Sequence, residues 1–77
     1  MTKQYLSILY FNARSIIPKC DELRIICEAH KPDVVCITES WLSSDINNAE
    51  LHISGYQIVR RDKNRHGGGV LMYIIGK

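Results

Sequence analysis

The stretch Val34-Val35-Cys36-Ile37-Thr38-Glu39-Ser40-Trp41-Leu42 places one carboxylate, Glu39, at the exit of an apolar run rich in β-branched residues. A strand of this kind is a rigid platform, and a charged group at its end is positioned by the sheet while still reaching solvent. Glu39 is therefore the first candidate ligand. The second is Asn12, which ends an earlier run, Leu6-Ser7-Ile8-Leu9-Tyr10-Phe11, and whose carboxamide both donates and accepts hydrogen bonds. Each also has a plainer reading, Asn12 as a turn cap and Glu39 as a solvated strand end.

A third group is cationic. Arg60, Arg61, Lys63 and Arg65 gather four of the ten lysines and arginines into a short arc that runs on to His66. Such a loop suits a phosphate backbone, because Lys and Arg displace condensed counterions whatever the base sequence. A solvated turn is the competing reading. Gly67-Gly68-Gly69 lacks the spacing of a phosphate-cradling loop and leads into a strand rather than a helix, so it predicts backbone freedom at a hairpin. Cys20, Cys27 and Cys36 are odd in number and show no C-x-x-C spacing, which argues against a disulfide framework and a zinc site. Buried reduced thiols in an intracellular compartment are the expectation.

Positioning these groups requires strands and a helix. Leu6 to Phe11 reads as a strand covered on both faces, and Val34 to Thr38 as a second strand. Between them, residues 19–30 take a helical period, with Cys20, Leu23, Ile26 and Cys27 on one stripe and Pro18 in the first turn. His30, Lys31 and Pro32 close that helix. The span from Leu6 to Glu39 matches the roughly 30 or more residues of a β-α-β crossover. A helix of this length returns about 18 Å at about 1.5 Å per residue, close to the length of a short strand. The two strands are then parallel, and Asn12 and Glu39 emerge at the carboxyl end of the sheet, where α/β folds build ligand sites. Residues 43–50 form a polar connection with room for a helical turn. Tyr56 to Arg60 and Val70 to Ile75 read as the arms of a hairpin around the basic loop.

The chain has 77 residues, which suits one domain and is too short for two. A chain of this size buries only about 60% of its unfolded surface. Its 45% hydrophobic and 23% charged residues exclude the disordered class, and the net charge of +2 permits a polyanionic partner without demanding one. Met1-Thr2-Lys3-Gln4 and the interrupted apolar stretch after it do not make a signal peptide, and no run reaches the roughly 18 apolar residues of a membrane span. No membrane and no small-molecule cofactor are expected.

Taken in order, Asn12-Ala13-Arg14-Ser15, Lys31-Pro32-Asp33 with Val34 to Leu42, Gly55-Tyr56, Arg60-Arg61-Asp62 and Gly67-Gly68-Gly69-Val70 resemble the endonuclease/exonuclease/phosphatase family. Within it the likeness is to the apurinic-type endonuclease domain of non-LTR retrotransposons, encoded upstream of their reverse transcriptase. The likeness runs from Leu6 to Ile74. It implies an α/β fold, the N-terminal part of a DNase I-like four-layered α/β sandwich, in which this chain supplies a β-α-β unit followed by a β-hairpin. It also implies cleavage of a phosphodiester assisted by Mg²⁺ or Mn²⁺, with DNA as partner and the nucleus as compartment. By position, Glu39 matches the metal carboxylate and Asn12 the asparagine beside metal and scissile phosphate. Arg14 would assist, with Arg60, Arg61, Lys63 and Arg65 as nucleic-acid contacts.

The family's later Asp-x-Asn pair and Ser/Thr-Asp-His ending have no counterpart at their expected places. Asp45-Ile46-Asn47 and Asp62-Lys63-Asn64 come far too early and are taken as coincidence. The resemblance thus implies one partial domain over residues 1–77, inactive alone and completed by the remainder of its own domain. The alternative is a non-catalytic relic that binds nucleic acid weakly through residues 60–66.

Overall fold

The computed structural model describes residues 5–76; Met1-Thr2-Lys3-Gln4, on which part of the leader argument rests, and Lys77 lie outside the described residues. Strands β1 (Ile8–Asn12) and β2 (Val34–Thr38) form where the apolar runs predict them. Between them a 3-10 turn, Ile17–Lys19, carries Pro18 at its start and leads directly into helix α1 (Cys20–His30). Asp21 and Glu22 occupy the first turn of α1, where the helix dipole favours negative charge. Lys31 ends the helix in a left-handed conformation, φ 47°, and its N–H bonds the Cys27 carbonyl. Pro32 follows and cannot continue the helix. A single turn, α2 (Asn48–Leu51), forms in the polar connection behind a capping box in which Asn47 and Glu50 satisfy each other's backbone N–H. Strands β3 (Tyr56–Arg61) and β4 (Val70–Ile75) complete the chain.

The four strands make one sheet in the order β1-β2-β4-β3. β1 and β2 are parallel, as the crossover requires, and β4 runs antiparallel to both β2 and β3. The hairpin therefore docks by its second arm. β4 is apolar throughout and takes the interior place, whereas β3 carries Gln57, Arg60 and Arg61 and lies at the edge, where charge is tolerated and discourages further pairing.

One face of the sheet is covered. Val35, Ile37, Leu71 and Tyr73 are fully buried there, against Ile16, Leu23 and Cys27 on one side and Leu42, Leu51 and Ile53 on the other. The Tyr73 hydroxyl donates to the Leu51 carbonyl at 2.7 Å, and its ring meets Tyr56 edge-on, centroids 6.4 Å apart. Tyr73→Phe should leave that buried carbonyl unsatisfied and cost about 1–3 kcal/mol in urea unfolding; an unchanged midpoint would contradict the bond. Burial pushes the Cys20 and Cys27 thiols upward in pKa, so both favour the neutral form.

The other face corrects two expectations. Ile8 and Tyr10 of β1 are 60% and 62% exposed, so that strand is covered on one face only among the described residues. The register aligns them with Val34 and Cys36 of β2, then Ile74 and Met72 of β4, and Val59 of β3 lies opposite Met72. Cys36 on this face is accordingly half-buried, unlike Cys20 and Cys27. The physical reason is that α1 and the 42–53 connection both pack on the same side of the sheet. No helix among the described residues is long and apolar enough to cross a membrane.

Candidate functional site

The sheet register brings the site residues to one edge. Asn12 pairs with Thr38, Thr38 with Val70, and Val70 with Arg61, so the four lie in one row at the carboxyl ends of β1, β2 and β3. Residues paired across strands share a face, which puts Asn12 and Arg61 on the open side of the sheet. Three loops leave this edge, at 13–16, 39–42 and 62–69. They are laced together by main-chain bonds: Ser15 N–H to Glu39 O at 2.9 Å, Ile16 N–H to Ser40 O at 3.1 Å, and Trp41 N–H to Gly68 O at 3.0 Å.

Glu39 sits in the middle of the three. Its backbone is left-handed, φ 55°, as are those of Trp41, Arg14 and Ser15. Four of the five such non-glycine residues described in the chain thus fall in two adjacent loops, a concentration of backbone strain of the kind found at functional sites. The Trp41 indole N–H donates to Glu39 Oε1 at 2.9 Å, and the Gly68 amide approaches the same oxygen at 3.5 Å. The indole bond first, and the Gly68 amide next, hold the Glu39 carboxyl below the usual carboxylate range; partial burial opposes them, and Lys63 and Arg14 add to them. Glu39 is therefore ionised near neutrality and stands among cations.

Ser40 turns inward beside it and is wholly buried, with its Oγ lacking a hydrogen-bond partner. Gly69 is packed on that hydroxyl so closely that a Cβ built on it would lie 2.6 Å from Oγ. The glycine run thus serves close approach and left-handed backbone, φ 69° at Gly68 and 91° at Gly69, rather than hairpin freedom alone.

The cationic group divides. Arg60 differs from its assignment as a nucleic-acid contact: its guanidinium bonds both oxygens of Asp62, at 3.0 and 2.7 Å, together with the carbonyls of Ile46 and Ser43 and the Asn48 side chain. Strand alternation is the reason. Arg60 lies on the covered side with Ile58, opposite Leu71, while Arg61 is on the open side opposite Val70. Arg65 pairs with Asp45 at 3.3 Å, both side chains being more than half exposed, a contact that phosphate can displace. Arg14, Arg61 and Lys63 are exposed. Both early Asp-x-Asn triplets have structural employment: Asp62 holds Arg60, Asp45 accepts from Ser43 and Arg65, and Asn47 caps α2.

Residue type and spacing point to no site role for Trp41 or Ser40, and to backbone freedom alone for Gly68 and Gly69. The available signal was the tryptophan two residues past the carboxylate, where an alternating strand pattern has already ended. Among the described residues no group of three His, Cys, Asp or Glu side chains gathers around one point. The donor set is one ionised carboxylate with a carboxamide on the neighbouring strand. Its hard oxygens fit a cation of the Mg²⁺ kind, which keeps most of its waters and often takes only one or two carboxylates. Glu39 would hold the cation, with Asn12 beside it.

No protein-family model and no curated protein sequence matches the chain. Solved structures do. The chain is similar to the AP endonuclease LMAP from Leishmania major, with 25% identity and a TM-score of 0.78 over 91% of this chain and 24% of that one. It is also similar to an AP endonuclease from Archaeoglobus fulgidus, with 24% identity and a TM-score of 0.80 over 95% of this chain and 28% of that one. The fold is the DNase I-like α/β fold, and the chain spans about a quarter of the length of these structures.

Proposed function

We propose that this chain is the N-terminal portion of a divalent-metal-dependent DNA endonuclease of the retrotransposon apurinic type, acting in the nucleus. It contributes the metal carboxylate, Glu39, and the phosphate-side asparagine, Asn12. The observation that carries the reading is the meeting of three loops at one sheet edge, with ionised Glu39 among Lys63 and Arg14. Likeness to two AP endonucleases supports phosphodiester chemistry.

When bound, Mg²⁺ or Mn²⁺ supplies Lewis-acid polarisation of the phosphoryl group and stabilises the departing alkoxide. Arg14 and Lys63 draw the phosphate toward Glu39 and offset repulsion between two anions. The Asn12 carboxamide donates to a non-bridging oxygen. His30, His52 and His66 are exposed and stand at α1, in the 52–55 connection and in the basic loop, and among the described residues none has its ring hydrogen-bonded to the carboxylate that would orient a general base. The general base is accordingly assigned to the remainder of the domain, which would also cover the open sheet face.

Purified 77-residue chain is expected to leave supercoiled plasmid intact in Mg²⁺, while the polypeptide extended through its reading frame nicks it and loses this with Glu39→Ala. Glu39-dependent nicking by the short chain would overturn the partial-site reading; an extended polypeptide without nicking would overturn the endonuclease. The exposed cations support a second reading, a non-catalytic relic that binds nucleic acid weakly. In either reading, neutralising Arg61, Lys63 and Arg65 together should flatten the slope of log affinity for DNA against log salt by about 2–3, and an unchanged slope removes the loop from the interface.

A further inference from the structure

We propose that Trp41 is a positioning residue for Glu39: its indole N–H, with the Gly68 amide, pins Oε1 so that Oε2 is the oxygen presented to a divalent cation. This rests on the metal role proposed for Glu39. A glutamate side chain at a loop has three rotatable torsions, and most of its rotamers do not face a given ligand. Here two donors converge on Oε1, and among the described residues none is recorded on Oε2.

The three residues form a closed unit. Trp41 N–H bonds the Gly68 carbonyl, the Gly68 amide turns to Glu39, and the Trp41 ring returns to the same carboxylate. The left-handed backbones of Glu39 and Trp41, both at φ 55°, bring an i and i+2 pair to one side around buried Ser40. In extended strand geometry those two side chains would share a face without meeting through their tips.

The choice of donor has a chemical consequence. An ammonium in this place would neutralise the carboxylate it holds, whereas an indole N–H is a neutral donor with no accepting capacity. Trp41 therefore orients Glu39 and leaves its full negative charge for the cation. One oxygen held and one presented is the monodentate arrangement that suits a largely hydrated octahedral ion.

Trp41 is the single tryptophan, so one indole N–H cross-peak in a ¹H–¹⁵N spectrum reports this contact alone. In wild-type chain that peak should move as Mg²⁺ is added, and should stay in place in Glu39→Gln. Trp41→Phe keeps an aromatic ring and removes the donor. It should weaken Mn²⁺ binding, read by the free-ion electron paramagnetic resonance signal, by about tenfold or more. Trp41→Phe binding Mn²⁺ as wild type does, with Glu39→Gln losing it, would overturn the positioning role and leave the metal site standing. Glu39→Gln binding Mn²⁺ like wild type would instead remove the metal reading itself. If Trp41→Phe fails to fold, the wild-type spectrum decides: an indole peak unmoved when diamagnetic Mg²⁺ saturates the Glu39-dependent site overturns the proposal, and a shifted one supports it.

Discussion

Gly69→Val is expected to destabilise the chain by about 2–4 kcal/mol and to displace Glu39 from its two donors. Two effects combine. A β-branched residue at φ 91° is in a region that only glycine adopts without strain, and its Cβ would stand 2.6 Å from the Ser40 hydroxyl. That hydroxyl belongs to a wholly buried residue flanked by Glu39 and Trp41, so room for the new side chain must come from a turn of the Ser40 side chain within the packed interior or from a shift of the loop that carries the carboxylate. Gly68→Ala is the control. Its Cβ would lie nearest the Lys63 side chain, whose outer carbons can swing into solvent while its Cβ, 3.1 Å away, must give slightly, and the expected cost is about 1–2 kcal/mol, chiefly from left-handed backbone. Urea unfolding of the two variants checks the difference; equal costs would mean that the contact with Ser40 does not constrain the loop.

Arg60→Ala is expected to cost about 2–4 kcal/mol, more than any other substitution in the basic group. The Arg60 and Asp62 side chains are only 14% and 22% exposed. Removing the guanidinium leaves a half-buried carboxylate and the Ile46 carbonyl without that donor, takes from the Ser43 carbonyl one of its two donors, and frees the 43–48 connection from β3. Arg60→Lys should recover little, because an ammonium cannot span Asp62, Ile46, Ser43 and Asn48 at once as the planar fork does. By contrast Arg61→Ala should change stability by less than about 0.5 kcal/mol, as expected for an exposed side chain. Thermal melts of the three variants would separate the roles, and an Arg60→Ala midpoint equal to that of Arg61→Ala would return Arg60 to the phosphate-contacting set.

Those contrasts mark where local pattern stopped being informative. The runs ending at Asn12 and at Thr38 are long enough in β-branched and aromatic residues to specify strands, and the stripe through Cys20, Leu23 and Cys27 specifies the helix. Their order then leaves one arrangement, a parallel pair with both polar ends at one edge. The docking arm of the hairpin was not legible, because pairing of β4 with β2 depends on which arm can be flanked on both sides. Arg60 and Arg61 look alike in composition, and only their alternation about Leu71 and Val70 separates the ion-paired one from the exposed one. Covering of β1 on both faces was also inferred from composition, which reports what a strand is built to bury and not what lies over it in this chain.

Residue type and spacing were thus enough for the crossover and for the candidacy of Asn12 and Glu39, since both follow from contacts within a short stretch and from the handed, parallel geometry of a β-α-β unit. The surroundings of Glu39 were decided by the closed sheet. Gly68 reaches its carboxylate, and the Gly68 carbonyl holds the backbone of Trp41, because β4 pairs with β2 and carries the 62–69 loop across more than twenty positions of sequence to the exit of that strand. Strand pairing at such separation is a property of the packed sheet as a whole, and no local window of the chain contains it.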